Sequence, residues 1–109
     1  MKLYLGELEE LVLLTVATLG DHAYGVSIQQ EIESRCNREI SIGALHSTIS
    51  RLEDKGFLKS WLGGATAERG GRSKRFFELT PSGKKALNET KSLRDELWRL
   101  SQLKWSGAK

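Results

Sequence analysis

Residues 41–59 read SIGALHSTISRLEDKGFLK, and the organisation of the whole chain follows from this stretch. Three of its apolar residues recur at helical spacing and form one narrow stripe: Leu45, Ile49 and Leu52. Short polar side chains occupy the opposite side: His46, Ser47, Ser50 and Asp54. A face that is only solvated usually carries the long side chains of Glu and Lys, whereas short polar groups allow a helix backbone to approach a groove. The stretch therefore predicts a helix that buries one face and presents the other to a partner, with an ordinary surface helix as the alternative.

Two residues mark the ends of this helix, and a pair of strands follows it. Ser41 suits the N-cap, where a hydroxyl accepts a hydrogen bond from the first turn, and Gly56 suits the position after the last turn. Residues 57–62 and 74–79 have the β-type pattern of two short strands. The segment between them is rich in glycine and contains two arginines, which predicts a hairpin with a basic tip. Its glycines do not open a helix and lack the Gly-Lys-Ser/Thr ending of a phosphate-binding loop.

Two further helices are predicted before this stretch. The first covers residues 5–19, and Leu13 and Leu14 extend its apolar stripe almost all round the helix. A chain of this size cannot cover such a helix alone, so the pattern indicates a second subunit. We expect an extended link at residues 38–40 that pairs weakly with the hairpin. The second helix covers residues 24–36, and four of its residues are expected to face inward: Val26, Ile28, Ile32 and Cys36.

A long helix is predicted after the hairpin. Thr80 and Pro81 mark its start as the N-cap and the first helical residue. Residues 1–83 form the predicted winged domain, and residues 84–109 form an added helix within one compact unit. The helix steps by four and three, as a short heptad repeat does, at Ala86, Thr90, Leu93, Leu97, Leu100 and Lys104. Because this helix has little core of its own to cover, we expect a twofold dimer. The residues expected at the dimer interface are Leu14, Leu93, Leu97 and Leu100.

Composition and charge restrict the class of protein. At 109 residues the chain is expected to form one domain with a small core. Its net charge is +3, but residues 1–34 carry −5, residues 35–85 carry +6 and residues 86–109 carry +2. The basic excess coincides with the polar-faced helix and the hairpin, as a surface that binds a polyanion requires.

Other sequence signals concern the compartment. A single cysteine, Cys36, excludes an internal disulfide, fits a reducing cytoplasm and is expected to be a small core residue. Residues 1–6 show no signal peptide, and the apolar run at residues 11–19 is too short to span a bilayer. We therefore expect a cytoplasmic protein without a membrane partner.

The order of the elements, three helices and then a hairpin with a basic tip, is that of a winged helix-turn-helix. Six motifs accompany it: Tyr24-Gly25, Ser41-x-Gly-x-Leu45, Arg51-Leu52-Glu53-x-x-Gly56, Gly70-Gly71-Arg72, Phe76-Phe77 and Leu79-Thr80-x-x-Gly83. Together they resemble the PadR family of bacterial transcriptional regulators over nearly the whole chain. The resemblance implies an α+β, mostly helical winged helix-turn-helix with an added C-terminal dimerisation helix. It also implies a homodimeric, sequence-specific DNA-binding regulator, more often a repressor.

The resemblance and the charge pattern together assign the contacts with double-stranded DNA. The polar-faced helix would meet base edges or phosphates through His46, Ser47 and Ser50, with Thr48 assisting from the margin. Phosphates would be neutralised by Arg51, Arg69, Arg72 and Lys74. The helix that starts at Tyr24 would place its N-terminus against a phosphate, with ordinary packing as the alternative for Tyr24. Family members usually carry Tyr at the position of His46 and often Lys at that of Ser50, and these two departures concern the operator sequence and the affinity rather than the scaffold.

The last helix also suggests a ligand. Trp98 lies where similar multidrug-responsive members present a tryptophan into a flat pore between the subunits. A small planar aromatic or cationic effector could stack on it. The alternative is that Trp98 and Trp105 pack in the dimer interface.

We do not expect an enzyme. The two histidines, His22 and His46, lie apart in sequence and in different elements, and no Ser-His-Asp, Cys-His or paired-carboxylate arrangement can be assembled. His22 has no second ligand candidate nearby, so neither a metal site nor a cofactor is predicted. The alternative to DNA regulation is a winged-helix module that binds another protein, because a fold does not fix a function. Such a module would more often present an apolar patch than basic side chains at its hairpin.

Overall fold

The computed structural model describes residues 5–63 and 74–107. Its elements in chain order are α1 (Glu7–Leu19), a short 3-10 turn (Gly20–His22), α2 (Gly25–Cys36), α3 (Ile42–Asp54), β1 (Leu58–Gly63), β2 (Lys74–Leu79) and α4 (Pro81–Gly107). Three helices, an antiparallel hairpin and a final helix form a mostly helical winged helix-turn-helix, which confirms the predicted fold class. No helix in these two ranges is both long and apolar enough to cross a bilayer.

α1 provides the centre of the core. Its Leu14 is nevertheless 47% exposed, so one side of the helix is left uncovered. The start of the helix is fixed by Glu9, whose carboxylate accepts a hydrogen bond of 2.7 Å from the amide of Gly6. This contact begins α1 at Glu7, two residues later than the apolar pattern alone predicts. The apolar residues that α1 buries are Val12, Leu13 and Val16.

Glu9 also joins α1 to the turn that follows α3. Its buried carboxylate accepts hydrogen bonds of 2.8 and 2.9 Å from the ammonium group of Lys55, and the guanidinium of Arg51 lies 3.7 Å away. Burial by itself would raise the pKa of Glu9, but the amide of Gly6, Lys55 and Arg51 together outweigh it and hold the pKa below its ordinary value. This cluster fixes the end of α3 against the core.

α2 is delimited by two identifiable caps. The hydroxyl of Ser27 accepts a hydrogen bond of 3.0 Å from the amide of Tyr24, which is the N-cap residue. At the other end Asn37 adopts a left-handed φ of 50° and terminates the helix. The helix buries Ile28 and Ile32, four residues apart.

Two residues of α2 that the apolar pattern places inside are exposed. Val26 is 51% exposed because it lies two residues before Ile28, and therefore about 200° round the helix from it. Cys36 is exposed because it is the last residue of α2, where the helix extends past the core. The buried stripe of α2 is therefore narrower than predicted.

The hairpin is attached to the start of α2. β1 and β2 pair antiparallel along their full lengths. The other edge of β2 is taken by Tyr24, which forms a bridge with Phe76, while the amide of Phe77 donates a hydrogen bond of 2.9 Å to the carbonyl of Ala23. The predicted pairing of residues 38–40 with the hairpin is wrong, because the chain before α2 occupies that edge instead.

Thr80 caps α4 and ties it to the turn after α3. Its hydroxyl accepts a hydrogen bond of 3.0 Å from the amide of Gly83 and donates one of 2.6 Å to the carbonyl of Gly56. Gly83 lies so close to this turn that a Cβ atom there would be 2.2 Å from the carbonyl oxygen of Phe57. Gly56 has a φ of 79°, which confirms its predicted place after the helix.

α4 is one continuous helix of 27 residues, about 40 Å long at 1.5 Å per residue. Its first turns pack on the core through Ala86 and Leu87, and Arg94 forms an ion pair of 2.9 Å with Glu10 of α1. Every side chain from residue 91 to residue 100 is exposed. The predicted boundary after residue 83 falls in the first turn of this helix.

Candidate nucleic-acid interface

α3 presents the polar face that the sequence pattern predicts. The hydroxyl of Ser41 accepts a hydrogen bond of 3.1 Å from the amide of Ala44, so the predicted N-cap is confirmed. The core side of the helix consists of Leu45, Thr48, Ile49 and Leu52. On the other side the predicted contact residues are exposed: His46, Ser47 and Ser50.

Thr48 does not belong to the exposed face. Its side chain is 1% exposed, and its hydroxyl donates a hydrogen bond of 2.9 Å to the carbonyl of Ala44. A threonine whose hydroxyl is satisfied within its own helix can turn its methyl group to the core. We therefore correct the prediction that Thr48 assists DNA binding from the margin: it is a core residue.

Gly43 leaves the first turn of α3 without a side chain on the exposed face. It lies in the first turn of α3, four residues before Ser47, so the two share one side of the helix. A Cβ atom at Gly43 would have no atom within 4 Å, and its backbone is not in the left-handed region. The fold therefore does not require glycine here. What the glycine does is to leave the backbone of the first turn uncovered on the polar side.

An open cleft of about 650 Å³ lies between α2, α3 and β2. The ring of His46 lies beside the start of α2, since a Cβ atom at Gly25 would lie 3.8 Å from His46 Cε1. The residues that line the cleft are Tyr24, Gly25, Val26, Ile42, His46, Ile49, Ser50, Glu53, Lys74, Arg75 and Phe77. The cleft thus joins the exposed side of α3, the start of α2 and the first residues of β2 in one surface.

Tyr24 connects two of these elements. The ring of Tyr24 contacts that of Phe76 edge to face, with centroids 5.8 Å apart. The ammonium nitrogen of Lys74 lies 3.9 Å from the centroid of the Tyr24 ring. The attraction of a cation to the ring face holds Lys74 at the cleft without neutralising its charge. The predicted phosphate contact of Tyr24 stays a prediction, and the packing role is also observed.

The positive charge of the surface is concentrated beside this cleft. Of the basic side chains that the structure describes between residues 5 and 79, most have a carboxylate within 4.0 Å: Arg35, Arg38, Arg51, Lys55 and Lys59. The two remaining cations in that part of the chain, Lys74 and Arg75, have no carboxylate of a described residue at that distance. Ion pairing therefore leaves the first two residues of β2 without a carboxylate in direct contact, and both line the cleft together with Glu53.

Arg75 was not predicted from the sequence. Strand alternation places it on the same side of β2 as Phe77, which is buried, and so suggests a residue that faces inward. In the structure its guanidinium donates a hydrogen bond of 2.9 Å to the hydroxyl of Ser60, which donates one of 2.8 Å to Glu53 of α3. Arg75 is thereby linked to the last turn of α3. The signal that could have identified it is the adjacent pair of basic residues at the start of the strand.

The remaining predicted phosphate contacts differ in their position. Arg51 does not line the cleft: its side chain is 55% exposed and donates a hydrogen bond of 3.2 Å to the hydroxyl of Thr48. Its contact with DNA stays a prediction. Arg69 and Arg72 lie outside the described residues, so their contacts stay predictions as well.

A second surface lies on α1 and α4. The side chains predicted to form a dimer interface are exposed: Leu14 at 47%, Leu93 at 54%, Leu97 at 58% and Leu100 at 43%. Trp98 is also exposed, and its ring meets that of Trp105 edge to face at 5.4 Å. Exposed apolar side chains in such number are typical of a surface that another molecule covers.

The fold and these two surfaces define a winged helix-turn-helix protein with an added helix. Within that class, residues 13–89 match the Transcriptional regulator PadR-like family. Because the match covers most of the chain, the chain belongs to this family of transcriptional regulators, which confirms the resemblance read from its motifs. A search among curated proteins found no match.

Solved structures share the fold. A PadR-like transcription factor from Bacteroides fragilis has a TM-score of 0.75 at 22% identity, over 87% of this chain and 86% of that one. A PadR family regulator from Clostridium difficile has a TM-score of 0.74 at 23% identity, over 90% of this chain and 97% of that one. Bacillus subtilis PadR, solved in complex with operator DNA, has a TM-score of 0.62 at 20% identity, over 75% of this chain and 45% of that one.

Proposed function

We propose that this chain regulates transcription by binding a specific sequence of double-stranded DNA as a homodimer. The observation that carries the proposal is the position of Lys74 and Arg75. They are the two cations of the described hairpin and helix-turn-helix without a carboxylate neighbour, and they lie beside the exposed polar face of α3. A surface that binds DNA requires cations that can neutralise phosphates, whereas a surface that binds another protein does not require them at this point.

The geometry supports a division of roles. A major groove about 12 Å wide admits an α-helix, and the N-terminal residues of a recognition helix contact the base edges. In α3 these residues are Gly43, His46 and Ser47, whose small or short side chains permit a close approach. Lys74 and Arg75 would neutralise phosphates beside that groove, and the amides at the start of α2 would favour another phosphate. Bacillus subtilis PadR, which shares this fold, was solved with operator DNA, and this supports DNA as the partner.

The charge assignment can be tested by the salt dependence of binding. For a mixed-sequence duplex, log K falls with log salt by about 0.9 for each phosphate that is neutralised. Each substitution, Lys74→Ala or Arg75→Ala, removes one phosphate contact from each subunit of the dimer. The slope should therefore become less steep by about two. Lys59→Ala is the matched control, because Lys59 belongs to the same hairpin but is paired with Glu78 at 3.5 Å and does not line the cleft.

Two outcomes would contradict the proposal. One is that the wild-type protein does not bind duplex DNA at low salt. The other is that all three variants leave the slope unchanged, because the cleft would then not be the site of phosphate contact. A loss of slope in Lys59→Ala alone would move the contact to the outer face of the hairpin.

The homodimer is proposed from the exposed leucines of α1 and α4. Leu97→Glu places a charge among them and should halve the mass measured by light scattering. Arg99→Glu is the control, because Arg99 lies about 200° from Leu97 round the helix. This substitution changes the net charge at least as much as Leu97→Glu does. A dimer that persists in Leu97→Glu would contradict this interface.

Three finer parts of the proposal follow the family resemblance. Repression is proposed because a dimer seated on an operator obstructs other proteins from the same DNA, and the cytoplasm is the compartment proposed for it. The planar aromatic effector at Trp98 stays a prediction. The exposure of the indole ring and the neighbouring ring of Trp105 support it.

A further inference from the structure

Two large apolar side chains are exposed on the helix-turn-helix, and both lie in the cleft. Val26 is 51% exposed and Ile42 is 44% exposed. Each belongs to the first turn of its helix, α2 and α3 respectively, and neither is part of the buried core. Their position is not explained by stability, because both leave apolar surface in water.

Cationic side chains line the same cleft as these two apolar side chains. Val26 and Ile42 line it from the first turns of α2 and α3, and Lys74 and Arg75 line it from β2. A DNA strand presents two kinds of feature at the major groove. Its phosphates lie at the rim of the groove, and its base edges lie inside it. A cleft lined by both cations and apolar groups is therefore complementary to a strand whose base edges include an apolar group.

Thymine is the base with such a group. Its 5-methyl is the apolar feature of the major groove, and apolar side chains distinguish thymine through it. We propose that Val26 and Ile42 contact a thymine methyl group, and that they thereby select an A·T pair at one position of each half-site. This inference rests on the proposed function and adds to it the base that the cleft selects.

The size of the effect follows from the burial of one methyl group. Removal of a methyl or methylene group from water contributes about 0.8 kcal/mol, which corresponds to about a fourfold change in affinity at 25 °C. We therefore expect about a fourfold loss for each contacted methyl that is removed from the DNA.

The experiment uses the full chain and a duplex that it selects from a pool of random sequence. The selected duplex is synthesised once with thymine and then with deoxyuridine at each thymine in turn, which removes the methyl and keeps the base pairing. The wild-type protein should bind about fourfold more weakly when the contacted thymine is replaced. Ile42→Ala and Val26→Ala should bind the thymine duplex more weakly and discriminate less between the two duplexes.

Leu62→Ala is the control variant, because Leu62 is an exposed apolar residue of β1 that neither lines the cleft nor belongs to α1 or α4. It should keep the wild-type ratio between the two duplexes. Thermal unfolding of the variants separates a loss of fold from a loss of contact, and exposed side chains should leave the midpoint unchanged.

The outcomes separate this inference from the proposed function. If no duplex is selected, the proposed function fails. If a duplex is selected but deoxyuridine binds as well as thymine at every position, or if Ile42→Ala and Val26→Ala keep the full ratio, the inference is overturned and the proposed function stands.

Discussion

The ammonium nitrogen of Lys74 lies 3.9 Å from the centre of the Tyr24 ring, and this contact links the start of α2 to the start of β2. A carboxylate in place of the ring would have cancelled the charge of Lys74. An uncharged ring orients the ammonium group and leaves its charge available to a phosphate. The contact therefore explains how the hairpin and α2 present one charged surface.

This contact predicts different effects for two substitutions of Tyr24. Tyr24→Phe keeps the ring and should bind DNA nearly as well as the wild type. Tyr24→Leu removes the ring and should weaken binding about two- to fivefold, which corresponds to about 0.5–1 kcal/mol for an exposed cation–π pair. Fluorescence anisotropy with one duplex measures both. An equal loss in the two variants would instead assign the role to the hydroxyl group of Tyr24.

Gly43→Ala should have opposite effects on stability and on binding. The added methyl group meets no atom within 4 Å, so alanine should stabilise α3 by about 0.5–1 kcal/mol in urea unfolding. The same methyl group covers the first turn on its polar side and should weaken DNA binding. A variant that is both more stable and binds equally well would show that this turn stays outside the groove.

Gly83→Ala should destabilise the fold. Its Cβ atom would lie 2.2 Å from the carbonyl oxygen of Phe57, a backbone atom that cannot move away as a flexible side chain does. We expect a loss of at least about 1–3 kcal/mol in the free energy of unfolding. Gly43→Ala is a matched control, since it adds the same atom in open space. Equal stability of Gly83→Ala and the wild type would contradict the described packing of α4.

The free energy of unfolding should depend on pH through the carboxyl group of Glu9. Because its pKa is held below the ordinary value of 4.5, its contribution is present above that value and is lost as the pH falls through the lower pKa of the folded state. Glu9→Gln should cost about 1–3 kcal/mol at pH 7 and should reduce the loss of stability in acid. Urea unfolding between pH 7 and pH 3 measures this. Parallel curves for the two proteins would contradict the role of Glu9.

The parts of the fold that depend on local chemistry could be predicted from the sequence. The stripe of Leu45, Ile49 and Leu52 defined α3, and a hydroxyl at Ser41 and at Thr80 marked the two helix starts. These signals act within one turn of a helix, so no tertiary information is needed to interpret them.

The parts that depend on distant partners could not be predicted. The exposure of Val26 depends on which side of α2 meets α1, and the burial of Thr48 depends on which side of α3 meets the core. The importance of Arg75 is visible only when the ion pairs of the other described cations are known. The sequence gives the number of cationic residues, but the cations available to DNA are those that do not form ion pairs with carboxylates in the folded chain.

The central claim is that two copies of this chain read one duplex through α3. Selection of bound fragments from a pool of random duplexes tests it most directly. The predicted result is an enriched inverted repeat whose half-sites are centred about 10–10.5 base pairs apart, or a multiple of that distance. A pool that keeps its random composition after repeated rounds would contradict the claim.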